Sequence, residues 1–189
     1  ETSAGLKIPI LDLARLKNKT NSLLALDATA SIGLENNHEY ADVIAYSSCK
    51  GLFGLTGASF IAYNSKPTNE VNSFYLNLKN HLDKKMTGPY HAIASLADVL
   101  PIHSEFKYSV IINKEKFLNK MKPWLTVSDI NQPLLCTHVK CRVLPKNKKV
   151  VLYKPRNNLS GSIVCHLGEI HLKKKAKGKI LDTIKIKNN

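Results

Sequence analysis

The spacing of apolar positions switches between the helical and the strand period along the chain. After Pro9, the residues Ile10, Leu13, Ala14 and Leu16 recur at helical spacing, and a proline suits the start of a helix because its missing N–H would be unpaired there anyway. "SLLALDA" (22–28), "YADVIAYSS" (40–48) and "GASFIAYN" (57–64) are strand-sized runs. The first two are largely continuous in apolar residues, as strands covered on both faces tend to be. One helix and three strands on short links describe part of an α/β sheet.

The pattern then turns helical. "VNSFYLNLKNHLDKK" (71–85) predicts a helix despite its asparagines, and "PYHAIASLADVL" (89–100) predicts an amphipathic helix with proline in its first turn. "KEKFLNKMKPWL" (114–125) continues as helix and breaks at Pro123. From 132 onward strands dominate: "LLCTHVKCRVL", "KVVLYKP" and "GSIVCHLGEIHL", with "PKNKK" as a hairpin turn between the first two. The resulting division is 1–84 for part of a sheet domain, 85–124 for connecting helices and 125–189 for a small α+β domain.

Composition narrows the function classes. A chain of 189 residues with 43% hydrophobic content can bury a real core. No apolar run is long enough to span a bilayer as a helix, and no signal peptide is visible, so a cytoplasmic protein with no membrane partner is expected. Four cysteines (Cys49, Cys136, Cys141, Cys165) form no CxxC pair and read as reduced thiols. The net charge of +14 invites a nucleic-acid reading. Only Arg15, Arg142 and Arg156 are arginines, however, and the arginine fork is what favours phosphate and base edges. The dense run "HLKKKAKGK" (171–179) reads as a solvated tail, so no nucleic-acid partner is expected.

Two strand ends carry opposite charges. Asp27 closes the first run and Lys50 follows the second. Small residues come after each: Ala28, Ser31 and Gly33, then Gly51, Gly54 and Gly57. Open α/β sheets display their chemistry at such carboxyl ends. Taken singly, Asp27 reads first as a cap or turn former, and a lysine before glycine is ordinarily a solvated loop residue. "SSCK" (47–50) matches the S-x-x-K pattern of serine acyl-enzymes, but that serine should open a helix, and here a strand precedes it. "GLFGLTG" lacks the Gly-Lys-Ser/Thr of a phosphate loop. Cys136, His138, Cys141, Cys165 and His166 could suggest a metal, but strand alternation puts Cys141 on the face opposite Cys136 and His138. They read as core or strand-surface positions.

Taken in order, "ETSAG…IPI", "LDATASIG", "SSCKG…G…GASFI" and "MTGPYHAIASL" resemble the class V aminotransferases, fold-type-I enzymes that use pyridoxal 5′-phosphate (PLP). The wording is most similar to the branch of 2-aminoethylphosphonate–pyruvate and alanine–glyoxylate transaminases. The resemblance implies an α/β fold: the C-terminal half of a PLP-transferase large domain, with a mixed, mostly parallel sheet and helices, plus a small α+β C-terminal domain. It gives Asp27 and Lys50 their roles. A carboxylate sits against the pyridine N–H, and a lysine bonds the cofactor aldehyde, then serves as base and acid. Thr2 resembles a residue beside the ring's 3′-oxygen, and Thr87 one that reaches the cofactor phosphate of the other subunit in a homodimer. The implied reaction moves an amino group from a small amine or amino acid to a 2-oxo acid.

The match departs from the family in two places. The N-terminal portion with the glycine-rich phosphate turn and the ring-stacking aromatic has no counterpart here, so a partial chain, inactive by itself and completed by that portion, is expected. The family's last strand also carries an arginine for the substrate carboxylate. Aligning "SIVCHLGEI" on Gly168 puts Ile163 there, and Arg156 is the only nearby substitute, with a solvated turn as its plainer role. The alternatives are therefore a transaminase part and a catalytically silent remnant acting as a structural or interaction module, with a basic nucleic-acid-binding protein a distant third.

Overall fold

The computed structural model describes residues 4–68, 71–84, 88–127, 131–146, 160–167 and 184–187. Pro9 stands immediately before helix α1 (Ile10–Thr20). Asn21 ends the helix in the left-handed conformation (φ 50°), and its N–H donates to the Lys17 carbonyl. Asparagine tolerates that conformation better than most residues, which makes it a natural stop. Strands β1 (Ala25–Asp27) and β2 (Val43–Ser47) run parallel, and β3 (Ser59–Tyr63) runs antiparallel to β2, in the order β1-β2-β3. Asp42 ties helix to sheet: its carboxylate accepts the Leu24 N–H at 2.8 Å and the Lys17 ammonium at 2.8 Å. These two bonds, the backbone one first, hold its carboxyl below the usual carboxylate range.

The sheet departs from expectation in its cover. The continuous apolar runs behind β1 and β2 predict strands buried on both faces, yet all positions of both are half-buried or exposed, and β3 is likewise open, with Ile61 at 57%. Such runs report a sheet built to be covered, and among the described residues too little packs on this one.

The helical segments sort themselves by what competes for their backbone. The helix expected over 71–85 shrinks to α2 (Leu78–Asp83), capped by Asn77, whose side chain accepts the Lys79 N–H at 3.0 Å. Upstream, Asn77 Nδ2 donates to the Val71 carbonyl, so the asparagine builds a turn in place of a longer helix. Helix α3 (Tyr90–Val99) follows Pro89 as the pattern predicts and buries Ala92 and Leu96. Helix α4 (His103–Met121) begins well before the 114–125 segment that signals it, and ends just ahead of Pro123. Its signal is weak because only Val110, Lys114, Phe117 and Met121 are buried, a narrow stripe on a polar helix.

Beyond α4, strand β4 (Cys136–Val139) pairs antiparallel with β6 (Ser162–Cys165), and β5 (Arg142–Pro145) pairs antiparallel with β7 (Ile184–Lys187). The single strand expected over 134–144 is broken at Lys140, whose N–H turns away to the Trp124 carbonyl at 2.7 Å. The β7 segment carries no sequence expectation of its own. The 149–155 strand, most of the "PKNKK" turn and the 171–179 basic run lie outside the described residues.

Helix α4 joins two apolar clusters. Phe117 and Met121 pack with Val139, Cys141, Val143, Val164 and Ile184. Val110 packs with Ala30, Leu34, Phe53 and Leu135. The second cluster bears on the candidate site, because Ala30 follows β1 and Phe53 follows β2. One helix thus backs both strand-end loops.

Candidate functional site

Asp27 is the last residue of β1, and its neighbour in the parallel ladder is Ala45 of β2. The chain leaves β1 in a tight turn. Asp27 Oδ1 accepts the Thr29 N–H at 3.0 Å, the Ala28 N–H donates to the Ala45 carbonyl, and Ser31 and Ile32 donate back to Ala28. Ala28, Ala30 and Ser31 are buried, so the turn is held by small residues under an exposed carboxylate. The Thr29 hydrogen bonds, side chain and then backbone, lower the Asp27 pKa, and the positive charge of Lys50 lowers it further. Asp27 is ionised at neutral pH, and it feels Lys50.

Lys50 opens the short helical turn Lys50–Leu52 after β2, with φ 54°. That is the left-handed region, which costs a β-carbon-bearing residue about 1–2 kcal/mol and survives only where its surroundings enforce it. Here they do. Ser48, fully buried, donates from Oγ to the Leu55 carbonyl at 2.6 Å and accepts the Ala58 N–H at 3.2 Å, closing the loop behind Lys50. The Gly54 N–H donates to the Ser48 carbonyl at 2.9 Å.

Gly51 joins the two strand ends. A Cβ there would overlap the Ile32 carbonyl oxygen, and its N–H points to the Thr29 carbonyl at 3.4 Å. Only glycine lets the Lys50 turn lie against the turn that follows Asp27. His103, the first residue of α4, fastens the junction: its Nε2 donates to the Gly51 carbonyl at 2.8 Å, and its ring packs 4.8 Å from that of Phe53. The Gly33 position lies against the same imidazole. Alanine at position 51 must push these loops apart. Gly51→Ala is expected to lower the stability by roughly 1–3 kcal/mol, the usual cost of overpacking, read as a lower denaturant midpoint with an unchanged slope.

Further contacts bring the strand-end loops against the C-terminal strands. Glu35 accepts the Lys7 ammonium at 3.1 Å and the Leu134 N–H at 2.7 Å. Cys165 at the end of β6 is exposed on one side and close enough for the Lys50 charge to act on its thiol, although desolvation by the protein around it is the larger influence and raises its pKa. Beside it, His166 is buried and shares a hydrogen bond with Thr137 Oγ1 at 2.8 Å. Burial first, and then the Lys114 charge, push its pKa down to about 3, so the ring is neutral. Lys114 is itself buried and donates to the carbonyls of Gln132 and Pro133.

Of the residues singled out from sequence, the structure brings Asp27 and Lys50 together. Thr2, Thr87 and Arg156 lie outside the described residues. Ile163 is half-buried in β6, opposite His138 of β4. Cys136 and Cys165 face each other across the same ladder, and no group of three or more His, Cys, Asp or Glu among the described residues is placed to hold a metal ion. Sequence reasoning missed His103 and Ser48. A histidine after "LPI" carries no signal of contact with a loop so distant in sequence, whereas Ser48 could have been found as the polar residue inside an apolar strand end.

The fold has known counterparts. The chain aligns with alanine–glyoxylate aminotransferase from Nostoc sp. at 19% identity and a TM-score of 0.67, covering 86% of this chain and 52% of that one. It is similar to a phosphoserine aminotransferase from Cytophaga hutchinsonii (16% identity, TM-score 0.65, covering 87% of this chain and 55% of that one). An aspartate aminotransferase from Thermus thermophilus aligns at 21% identity and a TM-score of 0.62, covering 86% of this chain and 55% of that one. No protein-family model and no curated protein sequence matches the chain. At these identities the likeness establishes the fold: an α/β architecture with a mixed sheet and helices, as in these aminotransferases. The chain spans about half the length of the structures it matches.

Proposed function

We propose that the chain is part of a PLP-dependent aminotransferase of the class V type, in which Asp27 and Lys50 face the cofactor. The observation that carries this is the junction of two strand ends. An ionised carboxylate and a conformationally constrained lysine follow adjacent parallel strands, held together by a glycine that admits no side chain. The fold shared with aminotransferases supports the same reading.

The residues present fit the cofactor at the ring end. PLP supplies an electron sink for the carbon that bears the amino group. Asp27 would hold the proton on the ring nitrogen, a task that suits a carboxylate kept ionised by Thr29 and Lys50. Lys50 would bond the cofactor's aldehyde carbon, and its Nζ would carry a proton to and from the donor's amine-bearing carbon. The small side chains of the turn at Ala28, Ala30 and Ser31 would let a flat ring approach the backbone. Thr2 would hydrogen-bond near the ring's 3′-oxygen, and Thr87 would reach the phosphate across a homodimer interface. The phosphate loop would come from a further N-terminal portion associated with this one. The donor is a small amine or amino acid, 2-aminoethylphosphonate among the candidates, and the acceptor is a 2-oxo acid, with Arg156 a candidate for its carboxylate.

Ile163 favours a second reading. An aliphatic side chain stands where the resemblance puts the carboxylate-binding arginine, and it is half-buried against β4. That suits a catalytically silent remnant that keeps the fold as a structural or interaction module.

One experiment separates the two. PLP added to the full protein should give a visible absorbance band, and borohydride should leave a pyridoxyl group on Lys50, located by peptide mapping. Labelling of another lysine, or scattered labelling, overturns the assignment of Lys50. An absence of any band favours the silent module.

A further inference from the structure

Strands β4 and β6 place two thiols directly opposite one another: Cys136 is the register partner of Cys165. The hydrogen bonds on either side define the kind of pair they form. The His166 N–H donates to the Leu135 carbonyl at 2.8 Å, bridging the residues just outside the pair. Two positions along β4, the His138 carbonyl turns away from β6 and accepts from Thr126 Oγ1 at 3.1 Å. Cys136 and Cys165 are therefore a non-hydrogen-bonded pair, the closer of the two kinds, with Cα atoms about 4.5 Å apart and side chains on one face. That separation falls within the range a disulfide spans.

The register that creates this pair is pinned at the other end of the ladder. Gly161, with φ 85°, lies where a Cβ would overlap the Val139 carbonyl, and Ser162 Oγ accepts the Val143 N–H at 2.9 Å. The two thiols differ in access. Cys136 is buried at 1% exposure, whereas Cys165 is exposed. One sulfur can meet a reagent in solution, and the other can only resolve what the first has formed.

We propose that Cys136 and Cys165 are a reversible cross-strand dithiol, closed to a disulfide by a low-molecular-weight disulfide such as oxidised glutathione. The Cys165 thiolate attacks one glutathione sulfur, forming a mixed disulfide and releasing the other glutathione as its thiolate. Cys136 then loses its proton and attacks the Cys165 sulfur, which expels the second glutathione. The protein gives up two electrons and two protons, and one oxidised glutathione becomes two reduced molecules. Cys165 reaches solvent, but protein crowds one side of its thiol, and that partial desolvation raises its pKa, so the first attack is faster as pH rises, because the thiolate is the nucleophile. The bond closes beside Lys50, whose charge reaches Cys165, yet it needs no cofactor and stands whether or not the chain is a transaminase.

The test incubates the purified protein with oxidised glutathione, quenches in acid, alkylates the remaining thiols and maps tryptic peptides without reduction. Cleavage after Lys140 separates Cys136 from Cys141, so the partners are distinguishable. The expected result is one cross-linked peptide joining Cys136 to Cys165, with Cys49 and Cys141 recovered alkylated, and complete reversal by excess reduced glutathione. In Cys136→Ser the reaction should stop at glutathione attached to Cys165, with complete loss of the cross-link. Wild-type protein that yields glutathione on Cys165, a Cys165–Cys49 cross-link, or four alkylated cysteines overturns the proposal. So does a Cys136→Ser protein whose Cys165 takes up no glutathione.

Discussion

Lys50→Ala should abolish attachment of the cofactor and lower transamination by at least roughly 10²–10⁴-fold, the share that a positioned proton carrier ordinarily supplies. The loss has two sources. Alanine has no amine to bond the cofactor's aldehyde, and none to move a proton at the donor's carbon. Lys50→Arg is the informative companion. It restores the positive charge that lowers the Asp27 pKa, but a guanidinium stays protonated and cannot serve as a nucleophile. Both variants should therefore fail to the same extent, measured as single-turnover rates and as borohydride-trapped label. Relief of the left-handed backbone at position 50 does not follow from either change, since alanine and arginine carry a β-carbon as lysine does. Substantial activity in Lys50→Arg would show that this side chain contributes charge alone.

The second large effect belongs to Asp27→Asn. Asparagine can still accept the Thr29 N–H that Asp27 Oδ1 accepts at 3.0 Å, so the turn after β1 should keep its shape and the protein its stability. Only the charge is lost. A neutral amide cannot hold a proton on the ring nitrogen, so the half-reaction should slow by about 10²-fold or more, near 3 kcal/mol at about 1.4 kcal/mol per decade. The borohydride-trapped label on Lys50 should persist. The lowered pKa of Asp27 also sets the sign of its pH effect: the carboxylate takes up a proton only as pH falls below the ordinary range. Its expected contribution to the rate is thus full at neutral pH and should fade only in acid. Wild-type rates in Asp27→Asn would make this carboxylate a turn former, its plainer role.

Some of this was legible in the order of residues. Apolar runs of strand length, each ended by a charge and followed by small residues, marked β1 and β2 and singled out Asp27 and Lys50. Pro9, Pro89 and Pro123 marked the boundaries of α1, α3 and α4, because proline acts on its own backbone and needs no tertiary partner. Local chemistry is written locally.

What only the tertiary structure decided was contact between segments distant in sequence. Gly51 could be read as a flexible link, but its need for glycine comes from the Ile32 carbonyl across the junction. His103 became a fastener only once α4 had folded back on the Lys50 turn. The same holds for the facing of Cys136 and Cys165, where a shift of one residue in register would send one thiol to the opposite face. Even the length of α2 turned on competition, since Asn77 can cap a helix or lengthen a turn and does both. Periodicity and capping residues reveal which element a segment favours. Which carbonyl lies within reach of a buried side chain depends on how the elements pack, and that is a property of the whole chain.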